Sequence, residues 1–158
     1  ANLRQGTAFF ASASMIAIGG GFALLGNTDR LRGVAQDLSI DAAPELVWEI
    51  KLLLMLLFVA NAFLKFVWSH RLFAYCAVIM AAVPDDPSSR IAKARARKAG
   101  ELNVTAARSY NRGLRSVYFG IAASAWLVGA LLLLAATLFT LGVILRREFA
   151  SASRAILI

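Results

Sequence analysis

Three long apolar stretches dominate the chain: Thr7–Gly26, Leu46–Ser69 with an apolar continuation to Val83, and Ser116–Leu145. Each is long enough to cross bilayer hydrocarbon, which takes roughly 17–25 apolar residues of helix. Strands of a membrane barrel would alternate apolar and polar positions, and no such alternation runs through these stretches. The pattern predicts an all-α, helical integral membrane protein with three transmembrane spans. As one helix the last stretch would be about 45 Å long, against a hydrocarbon core of ~30 Å. A long, tilted helix accommodates the excess. The alternative is a break near Gly129 into a shallow re-entrant hairpin, whose halves of about 14 residues are too short to cross.

The polar segments set the expected topology. Arg90, Lys93, Arg95, Arg97, Lys98, Arg108, Arg112 and Arg115 all lie in the connection from Pro84 to Arg115. The connection Asn27–Glu45 has only Arg30 and Arg32, against Asp29, Asp37, Asp41 and Glu45. Loops rich in Lys and Arg stay in the cytoplasm, so the second connection is expected inside and the first outside. Three spans would then leave Arg146, Arg147 and Arg154 outside, a mild conflict with the same rule. Within the basic connection, "PDDPSS" carries helix-start signals. The Ala-, Arg- and Lys-rich run that follows predicts a basic cytoplasmic helix, at the membrane surface or leading into the last span.

Composition narrows the class further. Hydrophobic residues make up 59% of the 158 residues and charged residues 16%, with a mean hydropathy of +0.68. The net charge is +8, and eight of the seventeen Lys and Arg lie in one loop, which favours membrane orientation and contact with anionic headgroups over nucleic acid. One cysteine, Cys76, permits no internal disulfide or thiolate cluster, and one histidine, His70, no His-rich metal site. No cofactor is expected. There is no nucleophile–base–acid set and no phosphate loop, so an enzyme is not expected either. The first stretch, centred on Gly19-Gly20-Gly21, lacks the basic leader and cleavage site of a signal peptide.

The second span carries charge where a bilayer penalises it. Trp48 with Glu49 and Lys51 marks its outer end in this reading, and Leu52–Ser69 then covers about 27 Å. His70 and Arg71 fall at the inner boundary, and Lys65 reaches the headgroups by snorkelling. In the alternative, Asn61, Lys65 and Ser69 share a face that lines a transport site. The candidate functional polar residues are therefore Asn61, Lys65, His70, Arg71, Asn111, Arg112 and Arg115. Apolar residues continue past Arg71 to Val83 and must be covered by the basic helix, a partner or the membrane interface. Close helix contacts in lipid rely on small residues. Ala13, Ala17 and Gly21, and Ala125 with Gly129, supply them at four-residue spacing, within one subunit or between subunits.

"WEIKLLLML", "FLKFVWSHRLFAYC" and "SYNRGLRSVYFG", with the opening "FFASASMIAIGGGFALLG" and the closing "VILRREFASASRAIL", resemble the domain of unknown function 599 family. These are bacterial and plant membrane proteins, and the resemblance spans essentially the whole chain. It implies a further hydrophobic segment upstream, hence four spans in a longer chain. Family members tend to carry a proline in the middle of the last span, where "SAWLVGALLL" has Gly129. The resemblance implies architecture and no activity. The expected protein is a non-enzymatic, multi-pass component of the bacterial inner membrane, either a homo-oligomer or an accessory subunit of a complex. The alternative is an oligomeric small-solute or ion transporter or channel.

Overall fold

Ala92, Ala99, Ala106, Gly113 and Gly120 fall at every seventh position, and all five are buried. Ser109, Ser116 and Ala123 repeat at the same spacing three residues later and are buried too. A strict seven-residue repeat keeps one seam on one side of a helix, the arrangement that lets two helices run alongside each other. Here the seam is built of small residues, so the backbones it joins approach closely.

A computed structural model describes residues 2–37, 43–86 and 89–149, and the described residues are helical apart from short connections. The elements are α1 (Asn2–Leu25), α2 (Thr28–Asp37), α3 (Glu45–Ala81), α4 (Arg90–Ser124), a 3₁₀ turn (Ala125–Leu127) and α5 (Ala130–Phe149). Among the described residues three helices are long and apolar enough to cross a membrane: Arg4–Leu25, Glu45–Ala81 and Ala130–Phe149. The residues group into two units, one of 1–17 with 60–114, the other of 18–59 with 115–158. Helices α1, α3 and α4 each contribute a segment to both.

In the first unit α3 and α4 run antiparallel. The Ser69 hydroxyl donates to the Ala106 carbonyl at 2.8 Å, Ser109 donates to the Lys65 carbonyl at 3.0 Å, and the Cys76 thiol donates to the Ala99 carbonyl at 3.2 Å. Contacts from a short side chain to a facing backbone require the helix axes to be close. Leu72 and Phe73 are buried against Ala106, with Leu102 packed beside them. The apolar continuation past Arg71 is thus covered on one side by the basic helix, one of the three coverings the sequence left open. Segment 2–17 of α1 joins through a ring cluster. Phe10 stacks on Phe66 at 5.3 Å, and both meet Tyr110, at 5.9 and 5.6 Å.

In the second unit Gly21 faces Leu56, whose nearest atom would lie 2.4 Å from an added Cβ. Ser116 donates to the Phe58 carbonyl at 2.8 Å, and Phe58 stacks on Phe119 at 6.4 Å. The Asn27–Glu45 connection is not plain loop but contains α2, which carries Asp29 in its first turn, where the helix dipole favours an acid.

The last apolar stretch departs from the expected long tilted helix. After Ser124 the chain tightens into the 3₁₀ turn, where Val128 N–H and Gly129 N–H both donate to the Ala125 carbonyl at 3.2 Å. It then restarts at Ala130 and returns antiparallel along α4, since Arg115 pairs with Glu148 and Arg147 reaches Tyr118. A straight helix would hold positions 115 and 148 about 50 Å apart. The break falls at Gly129, as the alternative reading had it, but the halves are unequal. Helix α5 has 20 residues, about 30 Å, because it runs on past Leu145. Of the two expectations for the basic segment, a separate surface helix or one leading into the last stretch, the second holds: α4 continues unbroken from Arg90 to Ser124. Ser89 starts it, accepting the Ile91 N–H at 3.3 Å on its hydroxyl. Pro87 and Ser88 of the expected start signal lie outside the described residues.

Candidate functional site

Polar side chains inside the first unit are spent mostly on backbone. The Thr7 hydroxyl donates to the Arg4 carbonyl at 2.9 Å, and His70 Nδ1 lies 3.1 Å from the same oxygen. The hydroxyl has one proton, so with that proton on Arg4 the second bond is donated by the tautomer that is protonated at His70 Nδ1. This node ties α1 to α3 beside the Phe10–Phe66–Tyr110 cluster, and Thr7 is buried while His70 is half-buried. Ser69, Ser109 and Cys76 are likewise bonded to carbonyls across the helix pair.

The second unit holds a buried cation that the sequence reading placed at a lipid boundary. Lys51 is 2% exposed and Trp48 3% exposed. The Lys51 Nζ sits 4.8 Å from the Trp48 ring centroid and 5.9 Å from that of Trp126 in the 3₁₀ turn. Trp48 is thus buried within the unit, as one wall of a cation–π clamp. Contacts of this kind stabilise by roughly 0.5–2 kcal/mol, more when desolvated. The spacing Trp48-x-x-Lys51 puts both on one helix face, a readable signal. Trp126 is 75 positions from Lys51, and nothing in sequence pairs it with them. Trp48 Nε1 and Arg32 Nε are buried without a hydrogen-bond partner among the described residues.

A third polar group closes the α4–α5 hairpin. Arg147 Nη1 donates to the Tyr118 hydroxyl at 3.1 Å, and the Arg115 guanidinium pairs with Glu148. Between the two helices a cavity of about 160 Å³ is lined by Tyr118, Ile121, Phe139, Thr140 and Val143.

The expected functional residues do not gather into one constellation. Asn61, Arg71, Asn111, Arg112 and Arg115 are exposed, and Lys65 and His70 are half-buried. Arg71 donates to the Tyr75 hydroxyl one turn on, at 3.3 Å. Of the expected packing residues, Gly21 is in contact, Ala13 and Ala17 are exposed, and an added Cβ at Gly129 would meet open space. The helix break separates Ala125 from Gly129, so their spacing does not define a face. Among the described residues no three His, Cys, Asp or Glu side chains group as ligands for one metal ion.

A family model described as protein of unknown function, DUF599, matches residues 1–153. The chain belongs to the DUF599 family. The resemblance carried by the Lys-Phe-x-Trp-Ser-x-Arg and Asn-Arg-Gly-Leu-Arg strings thus holds over essentially the whole chain. No curated protein and no protein of solved structure matches. In this DUF599 chain the "FLKFVWSHR" string supplies the α3 half of the ring cluster, through Phe66, and the serine bonded to Ala106. The "SYNRG" string supplies Ser109, Tyr110 and Gly113 opposite them. Helix packing thus accounts for Phe66, Ser69, Ser109, Tyr110 and Gly113 of these strings, while Arg71, Asn111 and Arg112 are exposed.

Proposed function

We propose that this chain is a non-enzymatic, multi-pass membrane protein that works as a self-associating or accessory subunit. The observation that carries the membrane reading is the inverted distribution of side chains. Much of the buried set is small or hydroxylic: Thr7, Ser14, Ala62, Ser69, Ala99, Ala106, Ser109, Ser116 and Ala122. The exposed set is rich in large apolar residues, such as Ile16, Leu57, Leu64, Val78, Leu131 and Phe139. In water this arrangement would leave apolar faces far beyond those of a soluble monomer. In hydrocarbon it is the expected one, because helix association there depends on close packing and internal hydrogen bonds.

The second element is orientation. On α4, Arg90, Lys93, Arg97, Arg108, Arg112 and Arg115 are exposed along the side opposite the small-residue seam, at about 100° per residue. Such a stripe suits the anionic cytoplasmic leaflet of a bacterial inner membrane. The Arg115–Glu148 pair brings Arg146 and Arg147 to the side of Arg115. In this reading the end of α4 and α5 enter from the cytoplasmic side and return to it as a hairpin. The conflict over basic residues outside the membrane then disappears for those two.

Subunit contact is assigned to the exposed Ala13–Ala17 face of α1, where small residues permit close approach by a second copy. Oxidative cross-linking in native membranes tests it, in a Cys76→Ala background. Ala13→Cys or Ala17→Cys yields a covalent dimer, and Leu131→Cys on α5 does not. Absence of dimer from both α1 positions, with a detergent particle of one-chain mass, would remove self-association.

A further inference from the structure

The cavity in the α4–α5 hairpin lies beside the hairpin's basic end. Arg115, Tyr118 and Ile121 follow one face of α4 at three-residue steps, and Phe139, Val143 and Arg147 follow one face of α5 at four-residue steps. Moving from the arginines into the cavity, the lining turns apolar within one helical turn. Thr140 and Tyr118 bring the hydroxyls, and that of Tyr118 is engaged by Arg147. The basic end carries Arg115, Arg146 and Arg147 against Glu148, so this end is net positive among the described residues.

These features fit an amphiphile better than a soluble metabolite. A volume of about 160 Å³ is below the roughly 300–1,000 Å³ of sites that enclose a drug-sized ligand. An acyl chain needs only to lay part of its length along such a groove. Arginine at its mouth matches a phosphate, which it can hold with two parallel N–H donors. We propose that the hairpin binds one anionic glycerophospholipid, with its phosphate at the basic end, on Arg147, and one acyl chain between Ile121, Phe139 and Val143. Tyr118 links the two parts, as its ring walls the groove and its hydroxyl holds Arg147. The site rests on the membrane reading above and adds to it a position and a charge preference.

The test uses the full chain in lipid nanodiscs doped with a phosphatidylglycerol that carries a photoreactive diazirine on one acyl chain. Phosphatidylcholine with the same tail is the comparison. Peptides containing Ile121 and Phe139–Val143 are expected to label preferentially with the phosphatidylglycerol probe. Arg146→Gln with Arg147→Gln lowers that preference by up to about twenty-five-fold, since each basic residue near an anionic surface contributes about fivefold in affinity. Val143→Trp fills the groove and abolishes the labelling at Ile121. The arginine double variant, with unchanged far-ultraviolet circular dichroism, serves if the tryptophan variant fails to fold. Equal labelling by both probes, or labelling spread evenly along α5 through Leu131, Leu134 and Leu138, would overturn the site and leave the membrane reading intact. No labelling anywhere on α5 would overturn both.

Discussion

Gly113 is the position where the small-residue seam is most sharply tested. A Cβ there would lie 2.7 Å from Phe66 Cε1, with Cδ1 and Cζ at 3.0 and 3.1 Å. Phe66 is 0% exposed and held between Phe10 and Tyr110, so its ring has little room to give. Overpacking of this kind costs typically 1–3 kcal/mol. Alanine also gains about 0.5–1 kcal/mol over glycine in any helix interior, which blurs the reading of one variant. Gly100 in the same helix supplies the control, because an added Cβ there meets nothing within 4 Å. The propensity gain is common to both substitutions, so Gly113→Ala should fall below Gly100→Ala by about 1–3 kcal/mol. At about 2–4 °C per kcal/mol for a chain of this size, the gap is roughly 2–12 °C in thermal unfolding in detergent. Phe66→Leu in the Gly113→Ala background should recover part of the loss. A Gly113→Ala variant as stable as Gly100→Ala would refute the close α3–α4 contact at this point.

Three further outcomes follow from the same geometry. Ser69→Ala should cost about 0.6–1.7 kcal/mol, the range for interhelical hydrogen bonds in membranes, measured by unfolding in mixed micelles; no loss would mean the bond to Ala106 carries no stability. A double-mutant cycle of Lys51→Met and Trp126→Leu should give a coupling of about 0.5–2 kcal/mol, and additivity would dissolve the clamp. Lys65→Met should leave expression and thermal stability nearly unchanged, because Lys65 is half-buried and its backbone, not its amine, receives Ser109; a collapse in yield would show that the amine is structural.

The existence of the helices was legible in sequence because uninterrupted apolar runs leave few options. Their ends and partners were not. The α4 seam is written as a seven-residue repeat, but its members are Ala, Ser and Gly, which a search for large apolar residues passes over. The break at Ala125–Gly129 was legible only as the alternative to a long tilted helix, because no proline marks it and Gly alone is common in membrane helices. Its anchor, Trp126 against Lys51, joins positions far apart in sequence. Lys65 is the conspicuous charge in sequence, in the middle of an apolar run. The buried lysine is Lys51, which stands beside Glu49 and reads as a span end. Individual contacts such as Thr7 with His70 depend on the antiparallel register of α1 and α3, which composition does not encode.

Sidedness of three exposed positions tests the account most directly. In a Cys76→Ala background, single cysteines replace Asn27 after α1, Asp85 between α3 and α4, and Phe149 at the end of α5. A membrane-impermeant maleimide is applied to sealed right-side-out and inverted vesicles. With a returning α4–α5 hairpin, Asp85→Cys and Phe149→Cys label together from the cytoplasmic side, and Asn27→Cys labels only from the other. Labelling of Phe149→Cys from the side of Asn27 would contradict the returning hairpin, and labelling of all three from one side would contradict the multi-pass membrane reading itself.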